Sequence, residues 1–300
     1  MLARQLLSAV TTALSQQGVP KPIQQIHPVS GGDIGHSFRL ETGFDRYFFK
    51  YRQDVPTNFF TAERTGLELL ARGSTAVRSP RVIAHEGPEQ QPGTGWILME
   101  WVDSNPSPPT VVAEILGQGL AEIHRQTAPA FGLEKDNFIG LFPQVNGWMD
   151  RWTDFYRERR LTPQLELARK RKRLPLRRER LLTYLIDHLD KWLQDPSIRP
   201  SLLHGDLWGG NWMAGPDGVP YLIDPAAYYG HREVDLAFSQ LFGGFPTRFY
   251  EAYQETWPLD PGYEERKPLY QLYYLLVHLN LFGESYGPSV DRILEQYAKE

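Results

Sequence analysis

Three polar residues in the second half of the chain follow one another at a spacing that suits phosphoryl transfer. His204, Asp206 and Asn211 fit the pattern H-x-D-x-x-x-x-N. At this spacing an aspartate can accept the proton of a reacting hydroxyl, while the amide five residues later turns back to hold a metal ion. Three glycines interleaved with these residues would allow the backbone to come close to a ligand. The segment is a candidate catalytic loop.

A second acidic residue stands where a metal-binding partner of this loop is needed. Asp224 follows the apolar run 221–223, downstream of Asn211. A carboxylate at the end of a buried strand can provide a further protein ligand for Mg²⁺. Taken singly, Asp206 and Asp224 are equally compatible with turn or capping roles, and His204 with a structural one. Their joint spacing favours the catalytic interpretation.

The first third of the chain offers a pair of opposite charges for nucleotide binding. Lys50 ends the apolar segment 47–49, and Glu63 lies within the apolar stripe of a predicted helix. A carboxylate in such a stripe is costly unless it is paired, and Lys50 is its natural partner. The pair can orient the lysine onto nucleotide phosphates, or it can be a purely structural salt bridge. Upstream, Gly31 and Gly32 lie in a segment that either covers phosphates with its N–H groups or is a plain turn.

Two regions of different periodicity must position these residues. Alternating apolar residues, hairpin signals and one helix with Asn58 as a possible N-cap predict a strand-rich lobe over residues 1–102. A segment rich in proline and serine follows. Beyond it, apolar stripes at helical spacing predict a larger, mainly helical lobe over residues 103–300. The predicted fold class is therefore α+β with two lobes.

The composition narrows the function classes. The chain has 300 residues, of which 41% are hydrophobic and 23% charged, so it is globular rather than disordered. The lack of cysteine excludes disulfides, thiolate nucleophiles and cysteine-bound metals, and it favours a cytoplasmic location. No apolar run approaches the ~20 residues that span a bilayer, so no membrane partner is expected.

Charge is unevenly distributed along the chain. The net charge is −4, but residues 169–180 hold eight Arg or Lys and one Glu, a local charge of +7, which leaves −11 for the remainder. A chain this acidic elsewhere is a poor binder of nucleic acid. The basic run is a solvated helical face interrupted at Pro175, a site for an anionic partner, or a localisation signal.

These motifs together resemble the fructosamine kinase (ketosamine 3-kinase) family of kinase-like phosphotransferases. Besides the candidate catalytic loop, the resemblance rests on segments at residues 60–70, 117–124, 137–140, 144–148, 224–226 and 229–237. The triplets DLW at 206–208 and NGW at 146–148 separate this family from the aminoglycoside kinases. The resemblance extends over about residues 25–295. It implies a protein-kinase-like fold with a small N-lobe and a larger C-lobe.

The resemblance also implies a reaction. The γ-phosphate of ATP would pass to the 3-hydroxyl of a ketosamine, a sugar attached to a free amine or to a protein lysine, in a step of deglycation. Asp206 would accept the proton, and Asn211 and Asp224 would hold Mg²⁺. Lys50, oriented by Glu63, would bind the α- and β-phosphates.

Further residues receive roles at the two ends of the site. Backbone groups of Glu100, Trp101 and Val102, at the junction of the lobes, would receive the adenine of ATP. Trp148 and Trp208 could stack on the sugar ring, with core packing as the alternative. The sequence leaves open which ketosugar and which amine carrier are used, and it favours a monomer.

Two other functions remain open. A kinase of another small hydroxyl substrate, such as an aminoglycoside or choline, would use the same catalytic residues, and a pseudoenzyme would only bind the nucleotide. Gly205 in place of the arginine of protein kinases, and DPA at 224–226 in place of their D-F-G triplet, favour a small-molecule or adduct kinase. His231, Glu233 and Asp235 are expected to order the loop after the metal site rather than to touch substrate.

Overall fold

An antiparallel sheet makes up most of the amino-terminal lobe. The computed structural model describes residues 4–18, 22–29, 36–43, 45–89, 91–105 and 109–297. Within that part the sheet has five strands in the order β1-β2-β3-β5-β4. Their bounds are β1 Gln25–Val29, β2 His36–Thr42, β3 Asp45–Val55, β4 Val82–Glu86 and β5 Gly93–Glu100. Side chains alternate between the faces of a strand, so Phe48 and Lys50 share one face of β3 and Phe49 lies on the other.

Two helices cover the two faces of this sheet. Helix α1 (Arg4–Gln16) packs Val10 and Leu14 into the cluster that contains Phe49. Helix α2 (Phe59–Gly73) packs Phe60 into the cluster on the opposite face, together with Phe48. Because Lys50 shares the face of Phe48, the fold directs it towards α2, the helix that carries the predicted partner of the lysine.

Helices dominate the carboxyl-terminal lobe. They are α3 Thr110–His124, α4 Trp152–Phe155, a π-helical turn Tyr156–Leu161, α5 Thr162–Lys170, α6 Leu176–Asp187, α7 Asp190–Leu193, α8 Glu233–Leu241, α9 Thr247–Thr256, α10 Tyr263–Phe282, a 3₁₀ turn Glu284–Tyr286 and α11 Gly287–Tyr297. Helices α4, α5, α6, α7, α8, α10 and α11 pack around one hydrophobic core, whereas α3 and α9 pack around a second. The helices leave short strands between them, which carry the catalytic segments.

These short strands form two-stranded ribbons. They are β6 Asn137–Ile139 with β7 Phe142–Gln144, β8 Ser201–Leu203 with β11 Tyr228–Gly230, and β9 Trp212–Ala214 with β10 Pro220–Leu222. The candidate catalytic loop leaves β8, and the apolar run before Asp224 is β10. The ribbons therefore hold the predicted catalytic residues at their ends.

Backbone hydrogen bonds connect the two lobes beside these ribbons. The Arg78 N–H donates to the Pro220 carbonyl at 3.0 Å, and the Leu222 N–H donates to the Arg78 carbonyl at 2.8 Å. The Asn105 N–H reaches the Ala214 carbonyl at 2.9 Å. The segment that follows α2 is thus tied to β10, so the helix of the small lobe is held in register with the strand that precedes Asp224.

The sequence-based outline agrees with this architecture: a strand-rich small lobe is followed by a larger helical one. The predicted boundary between residues 102 and 103 stays a prediction. The prediction that Asn58 caps α2 is wrong, because its side chain makes no capping hydrogen bond and its Nδ2 lies 3.4 Å from the Asp136 carbonyl. Within the described ranges, no helix combines the length and apolar character needed to cross a membrane.

Candidate active site

A cleft of about 760 Å³ collects half of the site residues predicted from the sequence. Its lining includes Lys50, Glu63, Asp206, Asn211 and Asp224. They come from β3, α2, the loop after β8 and the segment after β10. Residues distant in sequence therefore meet in one cavity that presents carboxylates, an amide and an ammonium group.

Lys50 lies between two carboxylates. Its Nζ is 2.7 Å from Asp224 Oδ1 and 3.0 Å from Glu63 Oε1. Burial alone would lower the pKa of Lys50, but the two carboxylates together raise it well above its ordinary value. Burial acts to raise the pKa of Asp224, yet the adjacent ammonium brings it below its ordinary range. The predicted pairing of Lys50 with Glu63 is confirmed, and the lysine remains a cation.

A glycine in α2 explains how Glu63 comes so close to the segment after β10. A β-carbon at Gly66 would lie 2.8 Å from Pro225 Cγ, which is closer than non-bonded carbon atoms approach. Gly66 is one helical turn beyond Glu63 on the same face. The helix can therefore lie against Pro225, and this places Glu63 beside the lysine that contacts Asp224.

Asp206 and Asn211 face each other across the catalytic loop. The Asn211 amide Nδ2 donates to the Asp206 carbonyl at 2.8 Å and to Asp206 Oδ2 at 3.0 Å. Burial and the negative charge of Asp224 raise the pKa of Asp206 to about 7. Because Nδ2 donates to Asp206, the amide oxygen of Asn211 remains available for contacts with other groups.

His204 connects the catalytic loop to the strand before Asp224. Its Nε2 lies 2.9 Å from the Ile223 carbonyl, which can only accept, so Nε2 carries the proton. Its Nδ1 accepts the Asp206 N–H at 3.2 Å. Burial lowers the pKa of this imidazole, which agrees with a neutral ring that donates at one nitrogen and accepts at the other. His204 is therefore a structural histidine that fixes Asp206.

Asp235 forms hydrogen bonds with the backbone of the same loop. Its carboxylate accepts the N–H groups of His204 at 2.7 Å and Gly205 at 2.9 Å. His124 Nε2 lies 3.2 Å from the same carboxylate, and its Nδ1 contacts the Tyr253 hydroxyl at 2.9 Å. The sequence predicts that Asp235 orders the loop after the metal site, but its carboxylate accepts hydrogen bonds from the backbone of the catalytic loop. This contact spans about thirty residues, so no local pattern could reveal it.

The glycines of the catalytic loop serve close packing within the protein. Gly205 has φ +80°, and a β-carbon there would lie 2.1 Å from the Ala226 carbonyl oxygen. A β-carbon at Gly209 would lie 2.7 Å from the α-carbon of Gly244, and Gly210 lies under the ring of Trp208. The sequence had suggested approach to a ligand. The structure instead shows approach of one protein segment to another.

Of the two predicted sugar-binding tryptophans and the residues at the junction of the lobes, only Trp208 lines the cleft. Trp208 lines the cleft and is 38% exposed. Trp148 is 45% exposed and is not among the lining residues; its nearest aromatic partner is Tyr229, with ring centroids 6.2 Å apart. Glu100 ends β5, Trp101 and Val102 follow it, and all three are likewise outside this lining. Gly31 and Gly32 lie outside the described residues.

Two features of the site were missed by sequence reasoning. The first is an aromatic wall of the cleft formed by Phe138, Phe242, Phe282 and Tyr286. Phe242 and Phe282 are 43% and 51% exposed although they are large and apolar. Phe242 directly follows α8, and Phe282 is the last residue of α10. At such positions the sequence alone does not distinguish an exposed aromatic residue from a core residue.

The second missed feature is a buried polar network under Ala226. The guanidinium of Arg160, in the π-helical turn, donates to Asn146 Oδ1 at 2.7 Å and lies 3.9 Å from the ring centroid of Tyr228. Gln144 Nε2 donates to the Ala226 carbonyl at 3.2 Å. No carboxylate among the described residues contacts Arg160. A buried cation held by amides and aromatic faces thus supports the segment that carries Asp224.

A separate acidic and histidine cluster lies near the start of α8. Ligand atoms of His231, Glu233 and Asp260 fall within 4.8 Å of one another. Arg266 already forms a bidentate pair with Glu233 at 2.6 and 2.8 Å, and Arg232 lies 3.3 Å from Asp260. Arginines thus supply the positive charge of this cluster, and Glu233 joins the start of α8 to Arg266 of α10. The ordering of the loop after the metal site by His231 and Glu233 stays a prediction.

Comparison with known proteins decides the family. A family model described as fructosamine kinase matches residues 6–300. The chain belongs to the fructosamine kinase family. The predicted family is confirmed, and membership makes this chain an ATP-dependent kinase.

Two curated members of the family illustrate the degree of similarity. A probable ketoamine kinase of Lactiplantibacillus plantarum is 44% identical over 282 residues, which cover 92% of this chain and 95% of the relative. A chloroplastic protein-ribulosamine 3-kinase of Arabidopsis thaliana is 37% identical, covering 94% of this chain and 85% of the relative. The similarity extends over nearly the whole chain in both cases.

Solved structures confirm the kinase-like fold. A Thermobifida fusca protein assigned as a fructosamine-3-kinase has a TM-score of 0.84 at 32% identity, covering 98% of both chains. An aminoglycoside phosphotransferase has a TM-score of 0.62 at 17% identity, covering 97% of this chain and all of that one. The second likeness concerns the fold alone. The prediction of a two-lobed, kinase-like α+β fold is confirmed.

Proposed function

We propose that this family member transfers the γ-phosphoryl group of ATP to the 3-hydroxyl of a ketosamine, as a step in deglycation. One observation carries the proposal: Lys50, Glu63, Asp206, Asn211 and Asp224 converge in one cleft. The relatives named as ketoamine kinases and as a protein-ribulosamine 3-kinase support the choice of acceptor. The acceptor is accordingly a ketosamine that is either a small molecule or attached to a protein.

Asp206 acts as the proton acceptor. Its carboxylate is oriented by the Asn211 amide at 3.0 Å, and its backbone is fixed by His204 Nδ1. A pKa of about 7 in the nucleotide-free protein suits a general base, because such a group is partly ionised at neutral pH and still basic. The substrate hydroxyl passes its proton to this carboxylate as its oxygen bonds to phosphorus, and the bond to the β-phosphate oxygen breaks.

Lys50 and the segments around it bind ATP. Glu63 holds the ammonium group at 3.0 Å, so that it points into the cleft towards the α- and β-phosphates. The Gly31–Gly32 segment contributes N–H groups to the phosphates. The backbone of residues 100–102, where the lobes join, receives the adenine. The protein acts by positioning and charge stabilisation rather than by a covalent intermediate.

The site also fits Mg²⁺. Asn211 and Asp224 offer amide and carboxylate oxygens, the ligand types that Mg²⁺ prefers. Among the described residues that line the cleft, three carboxylates face one ammonium group. Burial and the negative charge of Asp224 both raise the pKa of Asp206. When bound, Mg²⁺ would neutralise charge on the β- and γ-phosphates. Asp224→Ala should therefore abolish Mg²⁺-dependent ATP binding; unchanged Mg²⁺ dependence would move the metal elsewhere.

Trp208 supplies the surface for the sugar. It lines the cleft next to Asp206, and its ring is supported by Gly210. Trp208→Ala should raise the KM for the ketosamine about fivefold, and leave the KM for ATP unchanged, because stacking on a ring is worth on the order of 1 kcal/mol. Trp148→Ala is the matched control, and an equal effect there would show that Trp148 also binds substrate.

The first experiment is a measurement of Mg²⁺-ATP consumption against an acceptor panel. Fructosyl-, ribulosyl- and erythrulosyl-lysine would be compared with kanamycin and choline, and the position of the phosphate determined by NMR. We expect turnover on ketosamines with phosphate on O3. Turnover on kanamycin or choline alone would refute the acceptor while retaining the catalytic residues. No turnover with ATP still bound would favour a pseudoenzyme.

The cytoplasmic location, the monomeric state and the lack of a nucleic-acid partner stay predictions. Size-exclusion chromatography with light scattering tests the oligomeric state directly.

A further inference from the structure

A second cavity lies on the basic run of the chain. Its volume is about 500 Å³, and its lining includes Arg169, Lys172, Arg173, Glu179 and Glu284. It is formed where α5 ends, where α6 begins and where the chain turns after α10. We call it the basic cavity.

Two cations of the basic cavity lack an acidic partner. Arg169 Nε pairs with Glu179 at 2.6 Å. Lys172 and Arg173 contact no carboxylate of the described part of the chain. Arg173 Nε is buried there without a hydrogen-bond partner. Since no carboxylate neutralises Lys172 or Arg173, an incoming carboxylate can pair with their charge at the cavity.

The backbone holds Lys172 in an unfavourable conformation. The Lys172 N–H donates to Arg169 O and the Arg173 N–H to Ala168 O, which closes helix α5. Lys172 has φ +55°, a left-handed conformation that glycine usually takes at this position after a helix. A lysine there costs roughly 1 kcal/mol relative to glycine, so its exposed ammonium group requires a reason beyond ending the helix.

The basic cavity adjoins the catalytic cleft. One turn separates them: Phe282, Ser285 and Tyr286 line the cleft, whereas Glu284 lines the basic cavity. Consecutive α-carbons are about 3.8 Å apart, so Glu284 at the rim of the basic cavity lies within about 8 Å of these cleft residues along the turn. The two cavities are therefore neighbours at this turn.

Charge at this surface differs in sign from the rest of the chain. Residues 169–180 carry +7, and Glu284, Asp291 and Glu295 contact arginines of this run. These three residues offset part of the charge of the run, while Lys172 and Arg173 at the basic cavity contact no carboxylate of the described residues. An acidic partner is therefore attracted to this cavity of a chain that is acidic overall.

We propose that the basic cavity docks acidic side chains of a glycated protein that flank the ketosamine-bearing lysine. This inference rests on the proposed function. An extended peptide advances 3.3–3.6 Å per residue, so a carboxylate two or three residues from the modified lysine spans the turn between cleft and cavity. The docking selects among protein-bound ketosamines by the sequence around the lysine.

The test uses acetylated, amidated peptides with one ketosamine-bearing lysine. Aspartate or serine stands two and three residues from that lysine in otherwise identical peptides. We expect kcat/KM to be about fivefold higher for the acidic peptide at low salt, because exposed charge pairs contribute up to ~1 kcal/mol. The preference should fall below about twofold in 0.5 M NaCl, where such charges are screened.

Variants of Lys172 test whether the preference for the acidic peptide arises at the basic cavity. Lys172→Asn removes the charge and keeps a residue that tolerates the left-handed conformation, and Lys172→Glu reverses it. Both should lower kcat/KM for the acidic peptide and leave the serine peptide unchanged. Arg4→Glu makes the same charge reversal at an exposed position of α1 and should change neither.

The outcomes separate the two proposals. Turnover of both peptides without a preference, or a preference that survives Lys172→Asn, overturns the docking and leaves the proposed function intact. If Lys172→Asn impairs free glycated lysine as much as the acidic peptide, the cavity binds the carboxylate of a small molecule, which also overturns protein docking. If no ketosamine is phosphorylated, both proposals fail.

Discussion

The buried carboxylate of Asp206 should make the nucleotide-free protein less stable as pH rises. Burial and Asp224 raise its pKa from 3.8 to about 7 in the folded protein. The folded state therefore binds this proton more tightly than the unfolded state. Stability from this group is highest below about pH 4, falls between about pH 4 and pH 7, and is then constant. The full difference of about three pKa units corresponds to about 4 kcal/mol.

Asp206→Asn removes the charge and nearly preserves the shape. The Asn211 amide, 3.0 Å from the carboxylate, can still donate to the new side-chain oxygen. The variant should gain stability relative to the native chain, and this gain should be about 3 kcal/mol larger at pH 8 than at pH 5. Two of the three pKa units lie in that interval, at about 1.4 kcal/mol each.

The assay is urea unfolding followed by tryptophan fluorescence, in EDTA and without nucleotide. Asp217→Asn, at an exposed position in the turn between β9 and β10, is the control and should change stability by less than about 0.5 kcal/mol at either pH. A gain for Asp206→Asn that is equal at the two pH values would refute the argument from burial. Turnover should fall by several orders of magnitude in the same variant, and strong residual turnover would refute the assignment of Asp206 as the base.

Three further substitutions test other parts of the site. Glu63→Gln removes one partner of the lysine that binds the phosphates and should raise the KM for ATP about tenfold in steady-state assays; an unchanged KM would make the pair purely structural. Gly205→Ala places a β-carbon against the Ala226 carbonyl and should cost more than about 3 kcal/mol in urea unfolding. Gly218→Ala has a similar φ with open space and should cost only about 1 kcal/mol, so equal losses would contradict the clash. Arg160→Met leaves buried acceptors unpaired and should cost about 2–4 kcal/mol in the same assay, whereas a neutral result would show that the network does not need the cation.

The parts of the site that could be predicted from the sequence depend on local periodicity. Alternation in β3 and the helical stripe of α2 are visible within about ten residues each. A carboxylate inside an apolar stripe is costly unless it is paired with a cation, and the Lys50–Glu63 pair is therefore predictable from the sequence alone. The spacing of Asp206 and Asn211 likewise belongs to one loop, and the structure joins them by two hydrogen bonds.

The parts that could not be predicted depend on contacts between distant segments. Asn58 has the right side chain for a helix cap, but a carbonyl from the other lobe lies within reach of its amide. Gly205 looked suited to a ligand, yet its conformation is set by Ala226, which folds against it from another ribbon. Trp148 has the same local character as Trp208, and only the fold decides which of them lines the cleft. The sequence gives the type and spacing of these residues, whereas tertiary packing determines which groups they contact.

The separation between the proposed base and the proposed metal ligand is fixed by two hydrogen bonds between His204 and the backbone on either side of Asp224. The Ala226 N–H donates to the His204 carbonyl at 2.9 Å, and the His204 ring donates to the Ile223 carbonyl at 2.9 Å. These two bonds flank Asp224 on both sides and begin two residues before Asp206. Asp224 itself adopts φ +51°, a left-handed conformation that is uncommon for residues other than glycine. A substitution that loosens this closure should thus lower kcat and also raise the KM for Mg²⁺-ATP in steady-state assays, because Asp224 is the proposed Mg²⁺ ligand and contacts Lys50 at 2.7 Å. An unchanged KM for ATP would show that the position of Asp224 does not depend on this closure.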